Sequence, residues 1–440
     1  SMTIERKVGM GIAGQPSGQD LDFWYNTEEY TGDFCDFTDV VIDSDGNVYG
    51  AGGYGTYANS QSQRVFWVSK MNYEGQVQWQ KRLNPSNWNR KTSVVSIALD
   101  DDNGHLYITG EADNKFYLFK INSSDGSAVW QKELASNGDA HCLAVDSSGN
   151  IVTTSNNSNQ TRIIKFAPNG TVTWAIKATI SNSEPGAVCV DSSDNIYISS
   201  RGNISGNKTI VIKVNSSGTV QWQKSYTATT GGGNYPSTGM VTYPVANGDD
   251  ALYMVFQDSN GSAGQVLTKI NSSNGAAVSG KNQATGVYSA DGYNQLDVDK
   301  DGNVFWAVWQ QTDSPNGLAN IHKFDADLNN TFTRKIDNNV TSKGIKPNAI
   351  KAFNNSYIVA AQFKLSVNAG IIIVLPEDGT LAGNTFGKIN YLSNSARDPT
   401  STTVTATTIS FSFSTFTFGT TDSNVTWQNA ISTTVFQSIS

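Results

Sequence analysis

Val40-Val41-Ile42-Asp43-Ser44-Asp45-Gly46-Asn47-Val48-Tyr49-Gly50 reads as an apolar run, a turn of Asp, Gly and Asn, and a second apolar run. Phe66-Trp67-Val68-Ser69-Lys70 follows, and Gly75-Gln76-Val77-Gln78-Trp79-Gln80-Lys81 closes the unit. The same order of landmarks returns about seven times. Turn copies stand at Asp101–Gly104, Asp146–Asn150, Asp191–Asn195, Asn247–Asp250, Asp299–Asn303 and Asn354-Asn355. The lysine that ends the middle run recurs as Lys120, Lys165, Lys213, Lys269 and Lys323, and the seventh copy has Ile371–Leu375 there instead. The closing tryptophan recurs as Trp130, Trp174 and Trp222, then degrades to Phe332 and Phe386. Matching turns lie roughly 45 to 58 residues apart, a length suited to four short strands and their loops.

Each run is short, rich in β-branched and aromatic residues, and cut by Gly and Asp, as in Ser96-Ile97-Ala98-Leu99 and Leu106-Tyr107-Ile108-Thr109. A single four-stranded blade cannot bury both faces, so neighbours must stack around an axis and share a core. The fold expected is an all-β, seven-bladed propeller of four-stranded blades with a short β-rich C-terminal extension. Its parts are an N-terminal lead (1–34), the propeller (35–392) and a Ser/Thr-rich β extension (393–440). The tryptophans are expected to wedge between blades. The repeated lysine is expected to be a strand-end residue with a solvated head.

Ala144-Val145-Asp146-Ser147-Ser148-Gly149-Asn150 and Val188–Ile198 resemble the propeller repeat known as SBBP. Asn122–Trp130 and Asn215–Trp222 resemble the blade ends of quinoprotein-type propellers, and the likeness spans roughly residues 35 to 392. Serine-rich copies ending in Ser-Ser-Gly-Thr-Val-Gln-Trp-Gln-Lys are also similar to virion structural proteins of tailed phages that infect marine cyanobacteria. The resemblance implies a propeller scaffold and, from the second likeness, a tail or host-adhesion role in a virion made in the host cytoplasm. An extracellular or cell-surface location is the alternative. The fold alone does not define the chemistry.

The formal charge of −8 argues against a nucleic-acid surface, which needs a basic stripe. No run reaches the apolar length of a membrane helix, and Met2-Thr3-Ile4-Glu5-Arg6 does not read as a secretory signal. Cys35, Cys142 and Cys189 are an odd, widely spaced set without a disulfide framework. Cys142 and Cys189 share parity on first strands, which points to packed free thiols. The extension alternates Ile409, Phe411 and Phe413, then Phe416 and Phe418, as a strand with one apolar side and a bulge at Ser414-Thr415. Its expected place is against the propeller, either closing the ring beside Thr3–Val8 or covering an edge; pairing with another subunit is the alternative.

Motifs for chemistry are sparse. Gly9-Met10-Gly11-Ile12-Ala13-Gly14 has dinucleotide spacing, but Gln15-Pro16-Ser17-Gly18 follows where a helix is required. Asp297-Val298-Asp299-Lys300-Asp301-Gly302 opens like a calcium loop, yet position twelve is Val308 rather than a carboxylate, so a structural turn is expected. His105, His141 and His322 are isolated, and no cofactor or metal is expected. Glu28, Glu29, Asp33, Asp139 and Asp291 are the carboxylates a polysaccharide hydrolase or lyase could use, without a spacing that selects a pair.

Loop length gives the strongest functional signal. The first-to-second and third-to-fourth strand turns are short, whereas the other connections are long and emerge together on the opposite face. Gly53–Arg64, Asn84–Thr92, Thr227–Gly239, Gln283–Asn294 and Gln310–Ala319 are examples. They and the lead carry the candidate ligand-binding residues Trp24, Tyr25, Tyr54, Tyr57, Trp88, Asn89, Arg90, Tyr235, Tyr288 and Tyr293. Aromatic rings stack on sugars or peptides, and Asn and Ser adapt their hydrogen bonds. The expectation is a non-enzymatic recognition or structural module that binds a cell-surface glycan or protein, or other virion proteins, through this face. The alternatives are the polysaccharide enzyme and a purely structural virion assembly protein.

Overall fold

The computed structural model describes residues 2–7, 24–29, 34–58, 61–83, 92–112, 115–134, 140–156, 159–203, 207–228, 239–244, 250–257, 265–283, 295–310, 317–338, 344–364, 368–379, 384–386, 389–393, 400–402, 404–408, 413–415, 420–422, 427–429 and 434–439. Every regular element among them is a β-strand. The chain opens with β1 (Met2–Lys7) and β2 (Trp24–Glu29). Blade 1 is β3 (Phe34–Ile42), β4 (Val48–Ala58), β5 (Gln61–Met71) and β6 (Val77–Leu83). Blade 2 is β7 (Thr92–Asp100), β8 (His105–Ala112), β9 (Lys115–Asn122) and β10 (Ala128–Leu134). Blade 3 is β11 (Ala140–Val145), β12 (Ile151–Asn156), β13 (Gln160–Phe166) and β14 (Val172–Thr179). Blade 4 is β15 (Glu184–Val190), β16 (Ile196–Asn203), β17 (Asn207–Val214) and β18 (Val220–Ala228). Blade 5 is β19 (Gly239–Pro244), β20 (Asp250–Gln257), β21 (Gln265–Asn271) and β22 (Ala277–Gln283). Blade 6 is β23 (Leu296–Val298), β24 (Val304–Gln310), β25 (Leu318–Phe324) and β26 (Asn330–Asn338). Blade 7 takes β27 (Ile345–Phe353), β28 (Ser356–Lys364) and β29 (Asn368–Pro376) from the end of the repeat and β2 from the start of the chain.

The fold is thus the expected seven-bladed propeller of antiparallel four-stranded blades. The first strands of successive blades touch around a closed ring, with β27 returning to β3. Trp24 pairs with Val374 and Glu29 with Ala369, so the lead supplies the fourth strand of blade 7 and closes the circle through the start of the chain.

The turns explain the repeated Asp and Asn. Asp43 accepts from the Asp45 and Asn47 backbone N–H groups at 3.1 and 2.7 Å and from the Asn47 side chain at 2.8 Å. The same pattern recurs at Asp146, Asp191 and Asp299, where the carboxylate satisfies the turn's own donors. Gly46 has φ 82°, a backbone that glycine adopts without cost, and in blade 4 the corresponding residue is Asp194 at φ 58°.

Blades are joined by a repeated clasp. The indole N–H groups of Trp130, Trp174 and Trp222 donate to the carbonyls of Pro168, Ser216 and Ser272 in the next blade, each at 3.0 Å. Lys120, Lys165 and Lys213 donate to those same three oxygens at 3.2, 3.3 and 3.1 Å, using the second lone pair of each carbonyl. Glycine is required beneath the indole: a Cβ on Gly275, at φ 74°, would stand 2.9 Å from the Trp222 ring. The tryptophans therefore wedge between blades as expected. The lysines do not have solvated heads: Lys120, Lys165 and Lys323 are buried, and the Lys120 and Lys213 ammonium groups lie 5.3 and 5.1 Å from the Tyr107 and Tyr197 ring centres. A carbonyl and an aromatic face together replace the water that the ammonium gives up.

Nearer the axis, inner strands are stitched by side chains. Asp39, fully buried, accepts from the Ile97 N–H at 2.9 Å and the Ser96 hydroxyl at 3.1 Å. Asn348 donates to the Phe37 carbonyl at 2.7 Å, Gln295 to Pro347 at 3.2 Å, and the Cys142 thiol to Gly186 at 3.0 Å. The apolar core fills the wedges between blades. Tyr197, Ile198 and Ile212 of blade 4, for instance, share one cluster with Val152 of blade 3 and Met254 of blade 5.

The described C-terminal residues form a series of short strands; of the bulged strand expected over Ile409–Phe418, only Phe413–Thr415 is among them, and the rest lies outside the described residues. β30 (Asn384–Phe386) and β31 (Ile389–Ser393) add to blade 6, and β31 pairs with β26. Then β32 (Thr400–Thr402), β33 (Val404–Thr408), β34 (Phe413–Thr415), β35 (Thr420–Asp422) and β36 (Trp427–Asn429) add a fifth strand to blades 5, 4, 3, 2 and 1 in turn. Finally β37 (Thr434–Ile439) runs parallel to β1 on blade 7. The extension packs on the propeller and meets the N-terminal strand, in line with the intramolecular expectation.

Candidate functional site in the axial channel

A repeated strand whose side chains alternate points every second residue of each inner strand at the axis. Two or three residues before the turn, the inner strands carry Val41, Ala98, Ala144, Cys189, Asp297 and Lys351, and all six line one cavity of about 470 Å3. Most of this ring is small and apolar, so the two charged members stand out. The Lys351 ammonium lies 3.5 Å from Asp297 Oδ1, and Asp297 Oδ2 accepts the Ala352 N–H at 2.8 Å. Burial alone would lower the Lys351 pKa, but the Asp297 carboxylate, followed by Asp39, holds it above the ordinary lysine value. Asp101 stands at the cavity wall and accepts the Ser44 N–H of the neighbouring turn at 2.8 Å. The site therefore offers an apolar wall, one neutralised ion pair, one carboxylate and one thiol.

Asp297 enters this site as the partner of Lys351. Its neighbour Asp299 is occupied by the N–H groups of Asp301 and Asn303, so Asp297–Gly302 is built as a turn. Groups of three or more potential metal ligands do not occur among the described residues. Lys351 was not visible as a site residue in the sequence. The available signal is positional: a charge stands where the other copies place a small apolar side chain. Cys142 and Cys189 share strand parity but not environment. Cys142 is buried and its thiol pKa is pushed far up by burial, whereas Cys189 is half-buried and lines the cavity. The Cys35 side chain lies outside the described residues.

The face of the short turns is knit together. Besides the tryptophan clasps, Ser147 donates to Asp194 of the next blade through its N–H at 3.0 Å and its hydroxyl at 2.7 Å. The opposite face carries the remaining connections. There Gly53–Arg64 is not a loop: β4 and β5 continue their pairing through Ala58↔Gln61, so Tyr54 and Tyr57 sit on an elongated hairpin. Trp24 and Tyr25 lie on β2, opposite Val374 and Ile373, at the short-turn end of blade 7 rather than among the long loops. Trp88, Asn89, Arg90, Tyr235, Tyr288 and Tyr293 lie outside the described residues, as do Asp33, Asp139 and Asp291. Glu28 and Glu29 pair with Gly370 and Ala369 on the same strand as Trp24.

These four-stranded blades, tied by the shared-carbonyl clasp of Trp and Lys, define a seven-bladed β-propeller. The family model PQQ_2, described as outer membrane protein assembly factor BamB, matches residues 63–308. That is more than half of the chain, and the chain belongs to this family. No curated protein sequence matches it. Among solved structures it is similar to a quinohemoprotein alcohol dehydrogenase from Comamonas testosteroni, at 10% identity over 82% of this chain and 77% of that one, with TM-score 0.47. It is also similar to BamB from Moraxella catarrhalis, at 12% identity over 79% and 99% of the two chains, TM-score 0.42. The Dos1 propeller matches at 10% identity over 83% and 97%, TM-score 0.46.

Proposed function

We propose that this chain is a non-enzymatic recognition and structural module that binds a surface glycan or protein through its long-loop face, as a tail or host-adhesion component of a virion. The observation that carries the reading is the asymmetry of the two faces. On one, turns are short and donate to one another across blades, as Ser147 does to Asp194. On the other, connections differ from blade to blade, and the β4–β5 hairpin is prolonged with Tyr54 and Tyr57 on it. Variable loops on a rigid repeated scaffold are where recognition is placed, and a preformed platform loses little ordering entropy on binding. The family description names an assembly factor, which favours a protein among the possible partners. The virion setting rests on the serine-rich blade endings noted in the sequence.

The test is binding of the purified chain to intact cyanobacterial and control bacterial cells. Selective binding that falls at least about tenfold in a Trp88→Ala/Tyr235→Ala variant supports the reading. An absence of binding to any cell, or binding indifferent to these substitutions, removes the adhesion role.

A further inference from the structure

The C-terminal strands meet the blades with a fixed period. Ser401 lies opposite Lys281, Thr408 opposite Lys224, Thr415 opposite Ile176, Asp422 opposite Lys132, and Asn429 opposite Lys81. The five tail positions step by seven residues, and each partner is two residues after the closing-strand Trp222, Trp174, Trp130 or Trp79 or, in blade 5, after Ser279, which pairs with Lys269 as Trp222 pairs with Lys213. The tail reads the blades in reverse order, and it presents the equivalent backbone position to the equivalent edge each time. Blade 6 departs from the period, since Arg334 pairs with Ser393 rather than with the residue after it.

A seven-residue step of extended chain covers about 23 Å. A strand with period-two alternation cannot slip by one residue without turning its faces over, so a uniform step fixes every landing at once. Unpaired outer strands also expose rows of N–H and C=O groups that need partners. At blade 4 the match extends to a side chain: Lys224 Nζ donates to Thr408 Oγ1 at 2.7 Å.

We propose that the outer edges of blades 1 to 5 form a single docking surface for an extended peptide with a seven-residue period, and that the strands β32 to β36 are its resident occupants. The segment that follows, β37, pairs in parallel with β1, so the clasp ends on the blade that the N-terminus closes. One heptad serves one blade, and its length rather than its apolar pattern sets the fit.

Two deletions in the full chain separate period from mere coverage, read by hydrogen exchange with peptide mass spectrometry. Removal of residues 409–412 shortens the tail by a fraction of a heptad. Exchange should then rise at least about tenfold in β14, β10 and β6, while β18 stays protected. Removal of residues 409–415 takes out one whole heptad. Each later strand should move up one blade, leaving β14, β10 and β6 protected and exposing β1. Unchanged protection of the inner strands β11 and β15 certifies that both variants fold. Equal disruption by the two deletions, or no change in either, overturns the heptad rule.

Discussion

The Trp222 indole N–H and the Ser272 carbonyl meet at 3.0 Å across the boundary between blades 4 and 5, and Lys213 donates to the same oxygen. One backbone carbonyl is thus the shared acceptor for two side chains of the preceding blade. Trp222→Ala removes both the wedge and one donor and should cost about 2–4 kcal/mol. Trp222→Phe keeps most of the apolar area and should cost less than half of that. Urea denaturation of the two variants measures the difference, and equal losses would mean that the hydrogen bond, not the packing, dominates the clasp.

At the axis, Asp39→Ala leaves the Ile97 N–H buried without the acceptor it now has at 2.9 Å. The expected loss is roughly 1–3 kcal/mol, the usual range for an orphaned buried donor. Asp39→Asn retains an acceptor oxygen and should be milder. Chemical denaturation ranks the two, and an alanine variant as stable as the parent would remove Asp39 from the ring of inter-blade ties.

His322 gives the fold an acid sensitivity. Its ring is fully buried beside Trp306, with Nδ1 2.9 Å from Thr333 Oγ1, and burial pushes its pKa down to about 3 from the ordinary 6.5. The folded imidazole stays neutral while the unfolded chain takes up a proton. Its contribution to stability is therefore full above about pH 6.5 and falls by about 1.4 kcal/mol per pH unit as pH drops toward 3. Stability measured between pH 6.5 and 5 should be flatter in His322→Gln than in the parent, and parallel curves would contradict the burial of a neutral ring.

The two described cysteines should label differently. Maleimide on the folded protein is expected to modify Cys189, which lines the axial cavity, and to spare Cys142, whose thiol is buried and bonded to the Gly186 carbonyl. Peptide mapping by mass spectrometry assigns the sites. Modification of Cys142 at the rate of Cys189 would contradict the closed inner ring.

The repeat made the blades legible because each landmark is a local chemical need: Asp and Asn for turn donors, β-branched runs for strands, Trp for the wedge. The lysine was misplaced because its partners, a carbonyl such as Pro168 and a ring such as Tyr107, come from different strands and blades. Trp24 and Tyr25 read as a lead because nothing local shows that β2 completes blade 7 from the far end of the chain. The tail offered an alternation of Ile409, Phe411 and Phe413, which masked the seven-residue step that the blade edges impose. Of the axial site, Asp297 was seen only as part of a turn, and Lys351 becomes meaningful once inner strands are superposed and a charge is found in an apolar ring.

Hydrogen-exchange footprinting of the chain on the cells it binds would locate the face that meets the partner. Exchange should slow in the peptides spanning 84–91 and 229–238 and in the tip of the β4–β5 hairpin, with the Ser44, Ser147 and Ser192 turns unchanged. Protection confined to those short turns would contradict binding through the long-loop face.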